Sequence, residues 1–205
     1  MAVTFQNKDE WSGRVYPFHT EPVKRDVMGY KLSGVDKDTI VPQGTPIVAN
    51  MNDKTATICK HAKVTKKVST TKFIVDYVGF LAVGDKIFCS GETTPTLSEI
   101  SAIDKATKEI TLKAANTQLD AGKVLVEGES VTGDGSSTTV QAKAIPNRIV
   151  ARTQKMTEND KTISATHQAI VIQNVVDYPA EWLNTTAFPG STLLKGCPLI
   201  LFVKQ

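Results

Sequence analysis

The sequence predicts an all-β protein made of small β-barrel or sandwich modules, with one or two short helical turns. Three observations predict it. Threonine and valine recur throughout, and apolar residues either alternate with polar ones or form runs of four to six. No stretch carries a long amphipathic helical pattern. A turn pattern also recurs: a glycine, two further residues, then an apolar pair, in GTPIV (44–48), GDKIF (84–88), GKVLV (122–126) and GCPLI (196–200). Such a glycine can take the positive φ of a tight turn, and the apolar pair starts the strand behind it. The spacing between copies is irregular, which argues for shared turn chemistry rather than a solenoid.

Taken in order, residues 1–38 read as an N-terminal arm or lead-in. They mix polar residues with Trp11, Tyr16, Phe18 and Tyr30 and have weak periodicity, so their aromatics need another surface to cover them. Strands are expected at 39–48 and 56–64, joined near NMNDKT (50–55), a turn rich in Asn and Asp. Residues 67–128 read as a central small β-module, an insertion candidate, with strands at 72–78, 86–89, 109–113 and 123–127. Within it AIDKATKEITL (102–112) reads as two strands joined by a hairpin loop at DKATK (104–108). The Gly/Ser/Thr-rich segment 129–140 is expected to be a flexible loop. Residues 141–205 return to strands, at 148–152 and 167–176, and complete a β-rich body together with 39–66. The best helix candidate is YPAEWLN (178–184), where Pro179 suits a first turn and Glu181 follows it.

Composition narrows the function classes. The chain has 205 residues, 40% hydrophobic and 22% charged, as ordinary globular proteins do. Its longest apolar runs, such as CPLILFV (197–203), fall far below the roughly 20 residues of a membrane-spanning helix. The opening MAVTFQNKDEWSG lacks the basic start and apolar core of a signal peptide, so Sec-type export is not expected. A net charge of +3 names no partner, and a pI near 8.7 is below that of most nucleic-acid-binding domains. Neither nucleic-acid binding nor membrane insertion is expected. Cys59, Cys89 and Cys197 are odd in number and form no C-x-x-C pair, so they read as buried thiols.

Candidate chemistry is sparse. AVGDKIFCSG (82–91) gathers Asp85, Lys86, Cys89 and Ser90 between glycines, yet it reads as a turn and a strand start. His19, His61 and His167 belong to no G-x-S-x-G context. Cys59 and His61 form C-x-H, but a metal needs further ligands and no second pair is spaced to supply them. GDGSS (133–137) precedes no helix that could offer its N-terminus to a phosphate. KHAKVTKK (60–67) would divide its charge between two faces of a strand and reads as an edge-protecting lysine cluster. No cofactor is expected. QNVVDYPAEWLNTT (173–186) places Asp177, Tyr178, Trp182 and Asn184 close together. That set suits a sugar site, a packed corner, or a subunit interface in which Trp is enriched. An enzymatic role, such as cell-wall hydrolysis, has no catalytic signature behind it.

Two segments carry a family resemblance. KLSGVDKDTIVPQGTPIVAN (31–50), followed by ATICKHAKV (56–64), resembles the opening of auxiliary head proteins of tailed bacteriophages, where a P-x-G-T-P strand leads into a small decoration domain. The central unit is similar to small β-modules of phage virion proteins. It shares a "vGD" turn at 83–85, an I-x-x-I-D…I-T hairpin at 100–111 and a closing glycine turn, GKVLV, at 122–126. The likeness is greatest to head fiber or head decoration proteins in phages and prophages of gut Bacteroidetes, and it spans roughly residues 30–128. It implies a non-enzymatic virion structural protein that decorates or projects from the capsid, stabilising the head or displaying an adhesive surface. It further implies a homotrimer bound to the major capsid protein, on the capsid exterior, assembled in the bacterial host cytoplasm. The family supplies no catalytic residue. The expected interface residues are Trp11, Tyr16 and Phe18 in the arm, with Tyr178 and Trp182. The alternative reading is a carbohydrate- or receptor-binding β-domain of a fiber or bacterial surface system, whose partner is a host-surface glycan.

Overall fold

The computed structural model describes residues 17–18, 27–133, 138–186 and 191–204. It is mostly β-strand (50%) with almost no helix (4%), in small barrel-like sheets. The chain divides into two compact units. Unit 1 takes the described parts of Met1–Cys59, Pro146–Val176 and Trp182–Gln205; unit 2 takes those of Lys60–Ile145 and Asp177–Glu181.

Unit 1 begins with β1 (Val27–Leu32), β2 (Ile40–Val41), β3 (Pro46–Asn50) and β4 (Thr55–Ile58). The run expected to be one strand at 39–48 is two. Pro42 has no N–H for a ladder, and at Gly44 φ is 78° where a Cβ would lie 2.9 Å from Cγ of Pro17. β3 and β4 form the hairpin expected around NMNDKT, with Asn50 Oδ1 accepting the Asn52 N–H at 3.0 Å and Lys54 at φ 53°. Residues 27–32, read as part of the arm, are instead a barrel strand that buries Tyr30 and Leu32 on one face. The strand expected over 56–64 is also divided, because the chain passes from unit 1 to unit 2 after Cys59.

Unit 2 is built from β5 (His61–Lys67), β6 (Lys72–Val75), β7 (Lys86–Cys89), β8 (Ser98–Asp104), β9 (Glu109–Leu112), β10 (Val124–Thr132) and β11 (Thr138–Ala142). Six of these pair in the order β10-β5-β6-β9-β8-β7, and β7 returns to β10 through Leu125↔Cys89 and Val126↔Phe88, so the sheet closes on itself. Every pairing in it is antiparallel. The alternating pattern of each strand fills the interior with Val64, Phe73, Ile87, Ile100, Ile110 and Leu125, among others. The hairpin at 104–108 forms as expected, with Asp104 Oδ1 accepting the Ala106 N–H at 2.8 Å and Lys108 at φ 56°. The segment read as a flexible loop over 129–140 is largely ribbon: β10 runs on through Thr132 and pairs with β11 from Gly128↔Ala142 to Thr132↔Thr138. Its threonines and valines are β-branched and favour strand, which outweighs the glycine and serine content.

The chain then completes unit 1 with β12 (Arg148–Val150), β13 (Gln154–Lys155), β14 (Thr162–Thr166) and β15 (Ala169–Ile172). A single turn of helix follows, α1 (Gln173–Val176), then a 3-10 turn at Ala180–Trp182. Last come β16 (Leu183–Thr185), β17 (Ser191–Leu194) and β18 (Cys197–Val203). The order β1-β14-β12-β3-β4 makes a closed barrel, sealed by the parallel pairing of β4 with β1 at Lys31↔Thr55 and Leu32↔Ala56. β2 and β13 pair separately, and β15-β18-β17-β16 form a four-stranded sheet in which β15 and β18 are parallel. The expected helix at 178–184 is reduced to the 3-10 turn followed by β16, while α1 occupies part of the expected strand 167–176. Asp177, at φ 45°, ends α1. Gly196 differs from the other glycines of the turn pattern: a Cβ there would lie 2.3 Å from the Pro146 carbonyl oxygen, so close backbone approach is what selects it.

Candidate functional site

Asp85 and Ser90 of AVGDKIFCSG do gather partners, and all of them lie in unit 2. At Gly84 φ is 94°, which turns the chain so that the Asp85 carboxylate accepts the Ala82 N–H at 2.7 Å. Lys60 Nζ donates to both oxygens of that carboxylate, at 2.6 and 2.8 Å. Glu127, on β10, lies 4.0 Å from the same nitrogen and accepts a hydrogen bond from Lys143 Nζ at 2.7 Å. That bond and the Glu127 charge hold the Lys143 ammonium above its ordinary pKa. Two lysines and two carboxylates thus compensate one another at the rim of the barrel.

A second group surrounds the end of β7. Ser90 Oγ donates to Glu181 at 2.6 Å and accepts the Ala180 N–H at 2.9 Å, while the Gly91 N–H donates to the other Glu181 oxygen at 2.8 Å. Asp177 is paired with Lys63 at 3.0 Å, and Tyr178 stands edge-on to His61 with ring centroids 5.4 Å apart. Residues 177–181 are therefore a strap seated on the second barrel through both of its carboxylates. Cys89 is fully buried, and burial, reinforced by Glu92, pushes its thiol up to about 11. A thiol so placed stays protonated at neutral pH and is a poor nucleophile.

The expected interface residues fare differently. Trp11 and Tyr16 lie outside the described residues. Phe18 is 2% exposed, Tyr178 6% and Trp182 1%. Phe18 forms a bridge with Val171, and the Ile172 N–H donates to the Pro17 carbonyl at 2.7 Å, so this part of the arm lines the edge of β15. Tyr178, in the strap, is buried with its ring edge-on to His61 of β5. Trp182 ends the 3-10 turn, and its carbonyl accepts the Lys195 N–H at 2.8 Å. The three thiols are buried, as expected of small apolar side chains. No group of three or more metal-ligating side chains occurs among the described residues.

Sequence reasoning did not reach the Lys60, Asp85, Glu127 and Lys143 group, because its members are far apart in the chain. One signal was present. Glu127 interrupts the apolar run VLVEG, where a carboxylate in a barrel strand needs a partner. Neither the family models, the curated proteins nor the solved structures compared with the chain yield a match.

Proposed function

We propose that the chain is a non-enzymatic bacteriophage virion protein that decorates or projects from the capsid, a homotrimer bound to the major capsid protein on the capsid exterior. One observation carries the reading. The motifs that resemble head decoration proteins are the turns of closed barrels: the "vGD" turn precedes β7, the I-D…I-T motif is the β8–β9 hairpin, and the closing glycine precedes β10. Asp85 is committed to Lys60, and Ser90 to the strap. The β10–β11 ribbon supports the same reading, since its strands are solvent-exposed beyond Gly128 and Val131 lies on its surface. Ribbons of this kind suit contacts between protein surfaces.

The carbohydrate- or receptor-binding alternative has less behind it. Tyr178 and Trp182 are buried, whereas stacking on a sugar needs an exposed ring. The test is immunogold electron microscopy of particles released from an induced lysogen that carries the gene. Gold is expected on the heads, and a chain confined to the soluble fraction would overturn the proposal. In the same particles, Trp11→Ala with Tyr16→Ala is expected to release the protein while leaving it folded. Phe18 is spared in this test because its burial makes it a stability residue.

A further inference from the structure

We propose that Lys60 and Asp85 condense spontaneously into an isopeptide bond, with Glu127 as the general base. The inference is independent of the virion reading. It rests on the placement of three side chains by one closed barrel. Lys60 precedes β5, Asp85 sits on the Gly84 turn before β7, and Glu127 is on β10, where its N–H donates to the Lys60 carbonyl at 3.0 Å and its partner is Ile87. Lys60 Nζ lies 2.6 and 2.8 Å from the two Asp85 oxygens and 4.0 Å from Glu127. Side-chain exposure is 25% for Lys60 and 11% for each carboxylate, so the amine and its target are largely withdrawn from water.

The step uses only groups already present. The Lys60 ammonium passes a proton to the Asp85 carboxylate, giving a neutral amine and a carboxylic acid. After a rotation of the carboxyl about Cβ–Cγ, the amine lone pair attacks Cγ and the C–N bond forms. The displaced π electrons move to Oδ2, which accepts the Ala82 N–H at 2.7 Å before that rotation. Glu127 takes a proton from the nitrogen and delivers it to the Oδ1 hydroxyl; the C–O bond breaks and water leaves. Ammonium and carboxylate have become amide and water, with no oxidant and no cofactor. Lys143, which donates to Glu127 at 2.7 Å, is the positioning residue for the base. Fixed partners of this kind reach effective molarities on the order of 10⁵–10⁸ M, which draws forward a condensation that fails between free molecules in water.

Intact mass spectrometry of the denatured full chain tests this directly. The wild type is expected to be lighter than its sequence mass by one water, and tandem spectra of its digest should show one branched peptide joining Lys60 to Asp85. Lys60→Arg keeps the ion pair and should retain the full sequence mass. Asp85→Asn should lose ammonia instead and arrive at the same final mass as the wild type. Glu127→Gln, folded by circular dichroism, should retain its full mass. Wild-type protein at the full sequence mass after prolonged incubation in the folded state would overturn the proposal. So would a water loss that persists in Lys60→Arg, and condensation in Glu127→Gln would remove Glu127 as the base.

Discussion

Gly128→Ala places one methyl group where β10 leaves the barrel and becomes the ribbon. The added Cβ would lie 2.4 Å from Cδ1 and 2.7 Å from Cε1 of Phe88, and 3.0 Å from the Gln141 carbonyl oxygen. Ordinary contact begins at 3.4 Å, so the ring would have to retreat by about 1 Å. Phe88 is among the largest fully buried side chains, and its strand is fixed on both sides by β8 and β10. Overpacking of this kind costs about 1–3 kcal/mol, while the loss of glycine's freedom in the unfolded chain returns about 0.4–1 kcal/mol. A net destabilisation of about 1–2 kcal/mol is expected. The chain has two units, so a single unfolding transition should not be assumed. Hydrogen exchange at the amides of β7 and β10 across a urea series reports on unit 2 alone. Adding Phe88→Leu should remove most of the alanine's own cost in a double-mutant cycle. An effect of Gly128→Ala within about 0.5 kcal/mol of zero, or an unchanged cost beside Phe88→Leu, would refute the steric argument.

Two further outcomes follow from ionisable groups. Cys89 should resist iodoacetamide in the folded protein at pH 8 and react once urea exposes it. Because its folded thiol titrates near 11, above the ordinary 9.0, its stabilising contribution is intact below pH 9 and is lost as pH rises toward 11. A Cys89→Ala variant should show less of that alkaline loss in urea titrations between those limits. The Asp104 carboxyl is held below the ordinary carboxylate range by hydrogen bonds from Thr107 and Ala106. Its support for the β8–β9 hairpin is therefore present above that range and disappears as pH falls through the lowered value. An NMR titration of the side-chain carboxyl is the check, and an ordinary midpoint would contradict it.

The local chemistry of this fold was legible and its long-range pairing was not. DKATK predicts its hairpin because an aspartate side chain can cap the turn; Lys108 takes the left-handed position at its end. VGDK predicts the Gly84 turn for a similar reason. The pairing of β1 with β14 and the parallel pairing of β15 with β18 leave no trace in any single segment, since alternation names the buried face and not the neighbour. The threonine-rich ribbon was misread because serine and glycine mark loops by frequency, whereas the strand preference of Val131 and Thr138–Ala142 depends on a partner strand. Phe18 was recognised as an aromatic that needs covering, and the chain itself covers it. The ionic group at Lys60 emerges only when β5, the Gly84 turn and β10 are brought together. Glu127 alone, set in an apolar run, announced that something had to meet it.

The strand order of the barrel in unit 1 also has a consequence for the newborn chain. The six strands that close the barrel of unit 2 lie in one stretch, His61 to Thr132, and are available as soon as that stretch has left the ribosome. Unit 1 has no such freedom: Val27 pairs with Thr166, and β3 waits for β12. At about 5–20 residues per second, the first three strands of that barrel spend several seconds without the rest of it. During that interval the apolar faces around Tyr30 and Ile47 and the open ladder edges are available to the wrong neighbour. The stretch that builds unit 2 sets the length of that wait.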